Sequence, residues 1–102
     1  LLSNVAPVAQ QNFQTNVPKF TAINENVSAV LSQYGITGPN RAVYQGFALK
    51  IARALNRIGG GPALVNMISG LKAYYISAFN ANPQVLDAVV NIITGSPTGY
   101  VS

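Results

Sequence analysis

Residues 35–95 read GITGPNRAVYQGFALKIARALNRIGGGPALVNMISGLKAYYISAFNANPQVLDAVVNIITG, and the breaks in this stretch decide the fold. Pro39, preceded by Thr37 and Gly38, is placed to open a helix that Gly59 closes. Proline suits the first helical position, and glycine suits the residue just past the last. Tyr44, Phe47, Ala48, Ile51, Leu55 and Ile58 make the apolar stripe of this helix. Gly61-Pro62 opens a second helix by the same logic, and Asn82-Pro83 opens a third, which Gly95 ends. Leu86, Val89, Val90 and Ile93 give the third a clean stripe. In the second, Leu64, Ile68, Leu71, Tyr75 and Phe79 line one side, while Val65, Met67, Tyr74, Ile76 and Ala78 widen it. A helix apolar nearly all round belongs at the centre of its domain, so this one is expected to be the most buried.

Outward from that stretch the signals continue. Thr21 offers an N-cap, and Ile23, Val27, Val30, Leu31 and Tyr34 follow as one helical stripe up to Gly35. Ser3 is a candidate cap for a short helix through Gln14, with Pro18 ending that segment. On the other side, Gly95-Ser96-Pro97-Thr98-Gly99 has turn and linker composition. No segment shows the alternation of a strand. The expectation is an all-α, compact bundle of about five helices. Residues 1–95 would form one helical domain, and 96–102 a flexible C-terminal tail or linker.

Charge restricts the chemistry. Charged residues are 8% of the 102, against about 25% in ordinary soluble domains. Glu25 and Asp87 are the only acids, and His, Cys and Trp are absent. The net charge of +4 therefore reflects missing acids, since the cations are only Lys19, Arg41, Lys50, Arg53, Arg57 and Lys72. A nucleic-acid binder would carry denser Lys and Arg with exposed aromatics, and none is expected here. Lys50, Arg53 and Arg57 share one helix face, read as solvated. No run approaches the ~18 apolar residues of a spanning helix. The chain begins with Leu and no charged leader, as a mature form or a domain cut from something longer would. Lack of cysteine leaves the redox compartment open.

Without His or Cys there is no conventional catalytic triad, thiol nucleophile or zinc site. Glu25 and Asp87 are explained as acids near helix N-termini, where the dipole favours them. Ser69-Gly70-Leu71-Lys72 matches the S-x-x-K pattern of serine acyl-enzymes, but its companion motifs are missing. Gly59-Gly60-Gly61 precedes a helix as a phosphate loop would, yet Pro62-Ala63 stands where Lys-Ser/Thr is required. A tight turn is the simpler role. Asn26-Val27-Ser28 fits a glycosylation acceptor but falls mid-helix. No catalytic, cofactor-binding or metal-binding residue is assigned, and an enzyme is not expected.

Tyr34-Gly35-Ile36-Thr37-Gly38-Pro39-Asn40-Arg41, followed by Phe47-Ala48-Leu49-Lys50-Ile51-Ala52-Arg53-Ala54-Leu55, resembles the helical domains of spider silk proteins. The resemblance is nearest to the globular repeats of aciniform or tubuliform spidroins. It extends through Ala73-Tyr74, Ala78-Phe79, Asn80-Ala81-Asn82 and the last helix, covering residues 34–95. Lacking Cys and acid–lysine pairs, the chain is closer to a repeat or spacer domain than to a terminal one. The resemblance implies a secreted, extracellular structural protein that stays soluble at high concentration and takes part in fibre assembly. Its partners would be other silk chains, with no nucleic acid and no small-molecule substrate. Residues 74–79 and 85–93 would then exchange helix for intermolecular β pairing, which their low charge and β-propensity favour. Two alternatives stay open. One is a small helical lipid-surface or carrier protein, with Lys50, Arg53 and Arg57 at headgroups of a membrane surface. The other is a partner-binding helical module.

Overall fold

The computed structural model describes residues 18–95, and side chains from residue 23 onward. These residues form four α-helices: α1 (Pro18–Gln33), α2 (Pro39–Ile58), α3 (Pro62–Phe79) and α4 (Pro83–Thr94). The all-α expectation holds. The short helix expected before Pro18 and the tail expected after Gly95 lie outside the described residues. The radius of gyration is 12.6 Å, close to the about 13 Å of a compact domain of 100 residues.

Helix α1 starts at Pro18, not after a cap at Thr21. Proline's fixed φ and missing N–H suit a first position, so Pro18 opens this helix. Glu25 consequently lies beyond the first turn and gains nothing from the four free N–H groups there. Asp87 likewise falls beyond the first turn of α4, and it pairs instead with Lys72 of α3. The dipole explanation fails for both acids.

The other boundaries follow the sequence. Gly59 and Gly61 take φ of +72° and +100°, a region closed to most side chains. The Gly59 N–H donates to the Leu55 carbonyl at 2.8 Å, closing α2. The triple glycine is thus the turn that reverses the chain into α3. Asn80 ends α3 in the left-handed region at φ +54°, which Asn tolerates better than most residues. The buried Ala81 then donates its N–H to the Tyr75 carbonyl, in the manner of a Schellman end. Asn82 caps α4: its Oδ1 accepts from the Gln84 N–H at 2.9 Å.

Helices α2 and α4 form the centre. Helix α1 packs on both from one side and α3 on both from the other, so α1 and α3 never meet. Half of α4 is buried, through Val85, Leu86, Val89, Val90, Ile93 and Thr94. Phe47, Ala48, Ile51 and Ala52 of α2 are sealed against it and against Val27 and Leu31 of α1. This corrects the expected place of α3. Of its 18 residues only Leu64, Ile68 and Tyr75 are buried. Its apolar surface is wider than the side that α2 and α4 cover, and the excess faces outward.

Candidate functional site

Arg41 and Lys72 are engaged within the fold. Arg41 donates to Ser32 Oγ (3.4 Å) and to the Ile36 and Ser28 carbonyls (3.3 and 3.5 Å), tying α2 to the end of α1. Gln45 adds a bond to Ser28 Oγ at 3.3 Å, and Val27 beside it is fully buried. Within the acceptor-like triplet, Val27 and Ser28 thus take part in helix packing, while Asn26 itself is exposed in mid-helix. Lys72 is held by Asp87 in the single ion pair among the described residues. That pairing also occupies the amine of the S-x-x-K match.

Among the cations whose side chains are described, Lys50, Arg53 and Arg57 remain, all exposed on α2 and none in an ion pair. Their i, i+3, i+7 spacing lays three charges along about 10 Å of one helix side. They border a groove of about 250 Å³ between α2 and α3, floored by Ala54, Met67 and Leu71. Ala54 is buried and has only a methyl group, which leaves the groove open between the two helices. Chemically this is a row of charge-assisted donors beside an apolar floor, suited to anionic oxygens that arrive at repeated spacing. It holds no general acid, and among the described residues no three His, Cys, Asp or Glu side chains gather.

A second feature is an aromatic series running from core to surface. Phe47 is sealed in the core and meets Tyr75 edge-on, ring centres 5.3 Å apart and planes at 68°. Tyr75 in turn touches Tyr74 (5.6 Å) and Phe79 (5.2 Å), which touch each other at 6.0 Å. Tyr74 and Phe79 leave 57% and 48% of their surface in solvent. Burial, and secondarily the neighbouring Tyr74, raises the Tyr75 phenol above its ordinary pKa of 10.0. The sequence reading treated these aromatics as core and the cations as a solvated face. The available signal was the distribution of six cations and two acids: four cations on α2 and both acids on other helices.

The comparisons with known proteins bear directly on this geometry. The family model described as "Sulfolobus virus coat protein C terminal" matches residues 1–102. The chain is 89% identical over 102 residues to the major capsid protein of Sulfolobus islandicus rod-shaped virus 2, covering all of this chain and 76% of that protein. Among solved structures it is similar to a chain of a virus that infects a hyperthermophile and encapsidates A-form DNA. There the identity is 90% and the TM-score 0.78, over 99% of this chain and 79% of that one. The crystal structure of a Yellowstone SIRV coat protein C-terminus is 86% identical, with a TM-score of 0.76 over 80% of this chain and 99% of that one.

These findings overturn the silk resemblance and what it implied: secretion, an extracellular place, silk chains as partners and fibre assembly. The stretches that carried it, 34–41 and 47–55, are helix ends and small packing residues, which unrelated bundles share. The β-exchange expectation goes with it, since Val85, Val89, Val90 and Ile93 are core. Lipid-surface, carrier and partner-module alternatives find no support either. The expectation of no nucleic acid conflicts with a 90% identical chain from a virus that encapsidates DNA. Coat proteins are structural, so the non-enzyme reading stands. The chain belongs to the Sulfolobus virus coat protein C-terminal family.

Proposed function

We propose that the chain is a coat subunit that packs with further copies around duplex DNA, with Lys50, Arg53 and Arg57 set against the phosphate backbone. The observation that carries this reading is the match, over 99% of the chain and at 90% identity, to a chain of a virus that encapsidates A-form DNA. The basic row supplies a physical means. Phosphate contacts by Lys and Arg are independent of base sequence, which a coat covering a whole genome requires. The scarcity of acids keeps repulsion low along such a surface.

The test is to mix the chain with linear double-stranded DNA, digest with nuclease and image the product. Protected DNA inside regular rods is the expected outcome. DNA digested at the rate of the protein-free control, with no particles, would contradict the reading.

A further inference from the structure

We infer that the hydroxyl of Tyr75 is a fourth donor to the phosphate backbone, in line with Lys50, Arg53 and Arg57 and left uncovered by Gly46. This deepens the reading proposed above and rests on it: the ligand is a phosphate oxygen of duplex DNA.

The basic row continues one turn beyond Lys50 to Gly46, since positions 46, 50, 53 and 57 stand at offsets 0, 4, 7 and 11 on one side of α2. Glycine puts no side chain there, and what lies beside it belongs to α3. A Cβ on residue 46 would stand 3.6 Å from the Tyr75 hydroxyl oxygen. Four donors thereby follow about 17 Å of α2. The Tyr75 residue is 5% exposed, and its ring is held edge-on to Phe47 with Tyr74 and Phe79 against it. A donor fixed in this way loses little conformational freedom on binding.

The Tyr75 hydroxyl has no hydrogen-bond partner among the described residues. None of their fully buried side-chain oxygens is left unpaired, so this one reaches the surface, where a ligand oxygen can meet it. Burial holds its pKa above the ordinary 10.0, and the proton to donate is present at neutral pH. Tyrosine is among the side chains that donate to phosphate without reading base sequence. Gly46 points the same way. Glycine is a poorer helix former than alanine, and a 3.6 Å approach is an ordinary contact that the fold would accept. Packing does not demand glycine here; what its missing methyl group leaves is access to the hydroxyl.

The test is duplex-DNA affinity over a range of salt for the parent, Tyr75→Phe, Gly46→Ala, their double variant and the Lys50→Gln, Arg53→Gln, Arg57→Gln variant, each still helical by circular dichroism. Tyr75→Phe keeps the ring and removes only the donor. It should weaken binding about tenfold, as losing a hydrogen bond to a charged group does. The slope of log affinity against log salt should stay that of the parent, because a neutral donor releases no counterion. Gly46→Ala should also bind about tenfold more weakly, its methyl group covering the hydroxyl, while its melting temperature rises. The double variant should bind no worse than Tyr75→Phe alone. Parental affinity in Tyr75→Phe, or a shallower slope, would overturn the inference. So would a Gly46→Ala loss that persists in full when Tyr75 is already Phe. If the triple variant loses affinity and slope while Tyr75→Phe binds as the parent does, this donor falls and the phosphate row stands. A parent that does not bind duplex DNA, or a triple variant that binds as the parent does, would sink the row and this inference with it.

Discussion

The Tyr44 hydroxyl accepts a 2.7 Å hydrogen bond from the backbone N–H of Asn82. Tyr44 is buried on α2 and Asn82 is the cap of α4, so one bond fixes the start of α4 against the central helix. It also satisfies one of the N–H groups near a helix start that would otherwise lack a partner. Tyr44→Phe keeps the ring and removes only this acceptor. The expected cost is about 1 kcal/mol, a fall in melting temperature of roughly 4–8 °C for a domain of this size. Thermal unfolding followed by circular dichroism measures it, and an unchanged melt would mean the bond contributes nothing.

Two phenylalanines separate core from surface. Phe47 is fully buried between the helices, and Phe79 is half exposed at the end of α3. Phe47→Ala should destabilise the chain by about 3–5 kcal/mol, through lost burial and a residual cavity. Phe79→Ala should cost about 1 kcal/mol or less in the free chain, since much of that ring is already in water. Urea denaturation of both variants decides it. Equal losses would restore α3 to the centre of the domain.

Tyr75 sets an alkaline limit. Its folded pKa is raised above the ordinary 10.0, chiefly by burial and then by Tyr74. Above the unfolded value, the unfolded chain has released this proton while the folded chain still holds it. Stability from Tyr75 is thus complete below pH of about 10 and is lost as pH climbs through the folded value. Tyr75→Phe removes the titration, so its melting temperature should fall less than that of the parent between pH of about 9 and 11. Parallel curves would contradict the assignment.

Gly70 offers a gain. With open space around its missing Cβ, Gly70→Ala should stabilise the free chain by about 0.5–1 kcal/mol. Urea denaturation measures it, and an unchanged or lower midpoint would mean that the helix gains nothing from the methyl group.

The helix boundaries were legible because they rest on local chemistry. Pro39, Pro62 and Pro83 open helices, and Gly59 and Gly95 follow their ends, as residue type alone indicates. The start of α1 was set too late, at Thr21, because a proline after a polar stretch can close one segment or open the next, and here Pro18 opens one. The centrality of α3 was misread for a deeper reason. Hydrophobicity reports that a surface is to be covered, not whether the cover is the same chain or another one. Tyr74 and Phe79 look like core in sequence and stand outside in the fold. The cations misled by their small total, since what matters is which of them the fold leaves unpaired. Arg41 and Lys72 are engaged, while Lys50, Arg53 and Arg57 are not.

The most direct measurement is duplex-DNA affinity as a function of salt, for the parent and for a Lys50→Gln, Arg53→Gln, Arg57→Gln variant. Each phosphate neutralised contributes about 0.9 to the slope of log affinity against log salt. If the α2 row grips the backbone, the variant should bind more weakly and its slope should be shallower by about 2.7. The same slope and affinity in both proteins, with the variant still helical, would show that these three cations do not touch DNA.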